Sequence, residues 1–167
     1  MNTQLSSAAS SKLEQLIRRL FALTITLASV ETFANAFAQF ELLTIYGQVT
    51  VWVLLATVMV IIASTWSRFG SDPFLYIYGA LSFLYMVSWP IAILEPALLP
   101  SEFQPWIWWV IGMGVVAMGV VARPWISLLY LFLTTVIWFF LNTSYYGGGA
   151  DPIVTLQDST YIFLFGG

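Results

Sequence analysis

Five long apolar runs divide the chain, each bounded by a few polar, glycine or proline residues. They cover 20–40, 46–66, 73–94, 105–122 and 125–141. Each holds ~18–22 residues, the length at which a helix crosses ~30 Å of hydrocarbon. The pattern predicts an all-α, polytopic helical membrane bundle with five transmembrane helices. Finer periodicity adds little, because a helix buried in a membrane bundle is apolar all round. The connections SRFGSDP, LEPALLPSE, ARP and NTSYYGGGADP are short and carry turn chemistry. Arg123-Pro124 is a tight turn, so the fourth and fifth helices should be antiparallel neighbours.

The ends read differently. Residues 1–12 are polar and rich in Ser and Ala, and are expected to form a loose cytoplasmic tail ahead of a five-helix domain over 13–141. Ser11 and Glu14 have the spacing of a capping box, a sign that a helix starts there. Residues 142–167 are expected to form an outer loop and a C-terminal apolar segment. Asp151-Pro152 is a good helix start. The following segment reaches only ~22 Å as a helix, too short for a full crossing. It is therefore expected to lie at the interface or to enter part-way, unless a sixth helix continues in a longer chain.

Charge sets the orientation. Lys12, Arg18 and Arg19 precede the first helix, Arg68 lies between the second and third, and Arg123 between the fourth and fifth. Alternating topology gathers all of them on one side, while Glu41, Glu95, Glu102 and Asp151 fall on the other. The positive-inside rule then predicts a cytoplasmic N-terminus in a plasma or inner membrane. Trp66 and Trp125 should mark the inner interface, and Trp106, Trp108 and Trp109 the outer one.

Composition sharpens what is excluded. Of 167 residues, 60% are hydrophobic and only 8% charged, against about 25% charged in soluble domains. Membrane lipids are the natural surroundings. A net charge of -3 argues against nucleic acid, which needs a basic stripe. With no His and no Cys, haem or metal held by those ligands is excluded, and any other cofactor is left open. The only lysine, Lys12, is in the tail, so a Schiff base or Ser–Lys dyad within the helices has no basis. Asp158 stands alone at its depth, which leaves no aspartyl pair. The chain is expected not to be an enzyme.

Candidate sites are few. Thr24, Ala28, Glu31, Asn35 and Gln39 share one face of the first helix. Glu31 there is an ionisable group at membrane depth, a functional candidate by default. Its plainer role is a hydrogen-bonded packing group that joins helices. The polar seam of Glu31, Asn35 and Gln39 is expected to point into protein or a polar cavity, and Asp158 could share the depth of Glu31. The run from Leu20 to the A-F-A before Gln39 also resembles a signal peptide, but Glu31 beside the apolar run opposes it. Gly112, Gly114 and Gly119 are expected to let the fourth helix pack closely, and Pro90 to kink the third.

These features point first to a non-catalytic subunit that packs against other membrane subunits or itself. A membrane sensor or signalling module, and a small oligomeric transporter or channel using Glu31, are the alternatives.

Overall fold

The computed structural model of the protein describes residues 2–65, 70–94, 105–145, 153, 156, 157 and 160, the side chains of 2–11, 14, 18, 21, 22, 144 and 145 aside. Among them are five α-helices and one 3-10 helix: α1 (Asn2–Ala38), the 3-10 turn Phe40–Leu42, α2 (Ile45–Ser64), α3 (Asp72–Ala92), α4 (Ile107–Val121) and α5 (Pro124–Tyr145). The fold is all-α. Three helices are long and apolar enough to cross a membrane: α2, α3 and the Pro124–Thr143 part of α5. Two shorter apolar helical stretches, Leu23–Ala38 and Ile107–Val121, complete the set.

The apolar runs and the helices agree closely, for a simple reason. In hydrocarbon every backbone N–H and C=O must be satisfied within the segment, and a helix does this. The N-terminus departs from expectation. No Gly or Pro interrupts residues 2–12, and α1 runs unbroken through the segment expected to be a loose tail.

The core is the pair α3 and α4, with α5 against both, α2 against α3, and α1 against α2 and α4. Leu75, Tyr78, Met86, Trp89, Val110, Ile111 and Ala117 are buried there. The flanks of α2, α3 and α5 expose Trp52, Met59, Leu84, Leu128 and Phe132, as helices facing lipid do.

Two sets of contacts hold the ends. At one end, the peptide after α1 meets the peptide after α3. Leu43 and Ile93 form an isolated antiparallel bridge, with Thr44 N donating to Ala92 O at 2.9 Å and Leu94 N to Leu42 O at 2.8 Å. Thr44 also caps α2, its hydroxyl accepting from Gly47 N at 3.2 Å and donating to Ile91 O at 2.9 Å. One side chain thus satisfies an orphan donor of α2 and an orphan acceptor of α3. Pro90 lies in the last turn of α3. A proline cannot prolong the hydrogen-bonded ladder far, and the chain becomes extended at Ile93, where the bridge forms.

At the opposite end, Ala122 and Arg123 make the turn from α4 to α5. Ile126 N and Ser127 N donate to Arg123 O at 2.8 and 3.0 Å, and Ser127 Oγ donates to Met118 O at 2.9 Å. The Tyr76 hydroxyl donates to Val121 O, which ties the start of α3 to the end of α4. Lys12, Arg19 and Arg123 belong to this end.

Candidate functional site

The outer face of α1 carries the most unusual chemistry. Ile25, Ser29, Thr32, Phe33 and Ala36 are its buried residues, and they define the face turned towards α2 and α4. Ser29 and Thr32 turn their hydroxyls to their own helix, donating to Ile25 O at 2.6 Å and Ala28 O at 3.0 Å. That internal bonding lets hydroxyls sit in a dry interface. The Met113 sulfur lies 3.8 Å from Ser29 Oγ and 4.0 Å from Thr32 Oγ1, so α1 and α4 meet at a thioether.

Glu31 lies nearly opposite that face and is exposed. Among the described residues it has no hydrogen bond or ion pair. It lies midway along the apolar stretch Leu23–Ala38, about 10–12 Å from either end. Sequence reasoning expected this face to point into protein or a polar cavity; within the chain's own bundle Glu31 is exposed. The physical reason is packing: Ser29, Thr32 and Ala36 are small, and they let α1 approach α4 closely, which leaves Glu31 on the far side.

Asn35, one turn above, is half-buried on the flank. Gln39 is drawn further round, and its Oε1 accepts from Trp106 N at 3.0 Å. This covers an orphan donor at the start of α4 with a side chain from α1. The three residues read as one polar seam therefore divide: Gln39 is a structural cap, Asn35 sits at the edge, and Glu31 faces outward. Asp158 lies outside the described residues. Nearby, Ile153, Leu156, Gln157 and Thr160 are helical and exposed.

Gln39→Leu should destabilise the fold by ~0.5–2 kcal/mol, the range of a lost helix cap. Gln39→Glu, which keeps an acceptor, should recover most of it. Thermal unfolding in detergent checks both, and equal loss in the two variants would sink the capping role.

The small-residue stripe of α4 also divides. A Cβ added at Gly114 would lie 2.6 Å from Ser82 Cβ and 2.8 Å from Tyr130 Oη, whereas at Gly112 and Gly119 nothing lies within 4 Å. Gly114 is at a tight contact, and the other two face open space. Gly79, which the sequence did not single out, completes the contact from α3, since its Cβ would lie 2.5 Å from Met118 Cγ. Tyr130 Oη donates to Gly79 O at 2.9 Å, binding α5 to α3.

Other polar groups are buried without signalling themselves in sequence. Among the described residues, Tyr78 Oη, Thr134 Oγ1 and the indole nitrogens of Trp106 and Trp138 are buried with no hydrogen-bond partner. Trp106 is 1% exposed, so it packs in the core rather than standing in an outer interfacial belt. Trp138 packs against Trp108 with ring centroids 6.0 Å apart. Trp125, by contrast, is exposed at the opposite end. Among the described residues no three Asp or Glu side chains converge to hold a metal.

Comparison of the chain with protein-family models, with curated proteins and with solved structures finds no match.

Proposed function

We propose that the chain is a non-catalytic integral membrane subunit that works by helix packing in a larger assembly, through the outward face of α1. Glu31 carries this reading. An ionised carboxylate at bilayer depth costs at least ~2.5–3.5 kcal/mol, and such groups face a bundle interior or pair with one another. Among the described residues of the chain's own bundle it has no partner, which supports a neighbour in the membrane as the source of one. Asn35 beside it offers that neighbour both a donor and an acceptor.

In this reading all five helices cross the plasma or inner membrane with the N-terminus in the cytoplasm. The gathering of Lys12, Arg19 and Arg123 at one end of the bundle supports the orientation. The shortness of α4, 15 residues, is compatible with a crossing. Eight of its 15 residues are buried against the other helices, and a helix packed against protein over much of its surface does not have to match the lipid thickness.

The test is purification in mild detergent with the mass of the particle and its companions determined. Wild-type chain should run as an assembly of fixed composition, further copies of itself included. Glu31→Gln, which keeps the hydrogen-bonding shape, should preserve it. Glu31→Leu should lower the assembled fraction several-fold, as expected for an interhelical polar contact of ~1–2 kcal/mol. A chain that runs alone, or a Glu31→Leu variant that assembles as well as the wild type, would overturn the proposal.

A further inference from the structure

We propose that the outward face of α1 is a self-association surface, on which α1 of a second copy docks to form a parallel two-stranded coiled coil over residues 13–37. This deepens the subunit reading and rests on it. The observation is a spacing combined with an exposure. Leu13, Leu16, Leu20, Leu23, Leu27 and Val30 alternate at three and four residues, and every one is exposed. The repeat continues through Ala34 to Phe37, also exposed. Sustained over more than three heptads, this is the a/d seam of a coiled coil. Glu31 takes an e position at its edge.

Lipid accounts for exposed leucines only within the membrane. Below Leu23 the stripe continues among Lys12, Gln15 and Arg19, all exposed, yet Leu13, Leu16 and Leu20 remain 59%, 54% and 53% exposed. None of the described side chains of α1 before Ile25 is buried against the bundle. Because α1 is one unbroken helix from Asn2 to Ala38, its lower half follows the axis of the upper half. It does not turn aside to lie on a bilayer surface. An apolar stripe in that position needs a covering helix.

A second copy fits what the stripe requires. Copies inserted in one orientation can bring α1 together only in parallel, about a two-fold axis along the membrane normal. Parallel pairing sets each g position opposite the next e position of the partner helix. The pairs are then Lys12 with Ile17, Arg19 with Thr24, and Thr26 with Glu31. No like charges meet, and Glu31 lies beside a hydroxyl instead of lipid. Leu13, Leu16, Leu20, Leu23, Leu27 and Val30 are each more than half exposed, a continuous apolar surface that the matching stripe of a second copy would cover. A strict seven-residue repeat also winds the pair into the left-handed crossing common among membrane helices.

The chain has no cysteine, so single cysteines report cleanly. They are placed on the stripe at Leu16, Leu20, Leu23 and Leu27, and off it at the exposed Gln15 and Ala28. Each variant is oxidised in isolated native membranes. Equivalent stripe positions of parallel helices approach to about 4.4–6.8 Å between Cα atoms, the disulfide range, and should cross-link about ten-fold more than the off-stripe pair. Adding Leu13→Glu to the Leu20→Cys variant should abolish its cross-link, with the thermal unfolding of the bundle unchanged. Equal cross-linking on and off the stripe overturns the proposal. So does cross-linking at Leu23 and Leu27 without Leu16 and Leu20, which would place the lower half on the membrane surface. A disulfide to a different polypeptide overturns self-association while leaving the subunit reading intact. No adduct at any position overturns the coiled coil alone, since companions found by purification still decide the subunit reading.

Discussion

Gly114→Leu is expected to abolish the folded bundle, and Gly119→Leu, in the same helix, to leave it standing. The two glycines are alike in sequence but not in surroundings. At Gly114 the backbone of α4 lies against Ser82 of α3 and Tyr130 of α5, and even a Cβ would enter their contact distances. Neither neighbour yields cheaply. Ser82 is fully buried and donates to Tyr78 O at 2.8 Å, while Tyr130 is held by its bond to Gly79 O. Ordinary overpacking costs ~1–3 kcal/mol. A leucine here must part three helices, so the cost should exceed ~3 kcal/mol, a large share of the ~5–15 kcal/mol that holds a typical fold. Size-exclusion profiles and thermal unfolding in detergent report the outcome. A Gly114→Leu variant that is monodisperse and unfolds near the wild-type temperature would mean that α3, α4 and α5 do not meet as described.

The second large effect has an inverted sign. Gly→Ala within a helix ordinarily stabilises by ~0.5–1 kcal/mol. Gly47→Ala should instead destabilise by ~2 kcal/mol or more, in the upper part of the overpacking range. Its new methyl would collide with the Ala92 carbonyl oxygen. That oxygen is not free to move, because it accepts from Thr44 N. The methyl can be accommodated only by separating α2 from the end of α3, which pulls at the Leu43–Ile93 bridge as well. Hydrogen exchange at Thr44 and Leu94 should quicken along with the loss of thermal stability. A more stable Gly47→Ala variant would sink this account of the joint.

Helix positions were legible because apolar runs of membrane length have few other structures open to them. The α3 and α5 starts lie within a residue or so of the apolar runs at 73 and 125, with Pro73 and Pro124 in their first turns, and α2 starts at the Thr44 cap. Which way each helix faces was not legible. In water a buried face announces itself by its apolarity, but here lipid and protein both favour Leu, Val and Phe. Glu31 was expected to face protein or a polar cavity, and within the chain's own bundle it is exposed. Gly112, Gly114 and Gly119 were equally good candidates for close approach, and only the neighbouring helices select Gly114. Gln39 had no detectable capping signature, because the amide it caps, that of Trp106, comes 67 residues later in the chain. Tyr78 and Thr134 gave no sign of burial, since hydroxyls are common at every level of a membrane helix.

The joint between the peptide after α1 and the peptide after α3 also bears on the order in which the chain can be completed during synthesis. Thr44 meets the carbonyl of Ile91 across 47 residues, and Gln39 meets the start of α4 across 67. When α1 and α2 first emerge, the groups that will close their shared end have not yet been made. The carbonyl of Leu42 and the amide of Thr44 must wait, hydrated, until α3 has entered and turned back. The early pair of helices is thus a provisional structure, and commitment comes late, when a distant stretch of chain arrives to fasten it. A ribosome stalled before Ile93 would leave α1 and α2 with no lock, open to rearrangement or to recognition by quality control.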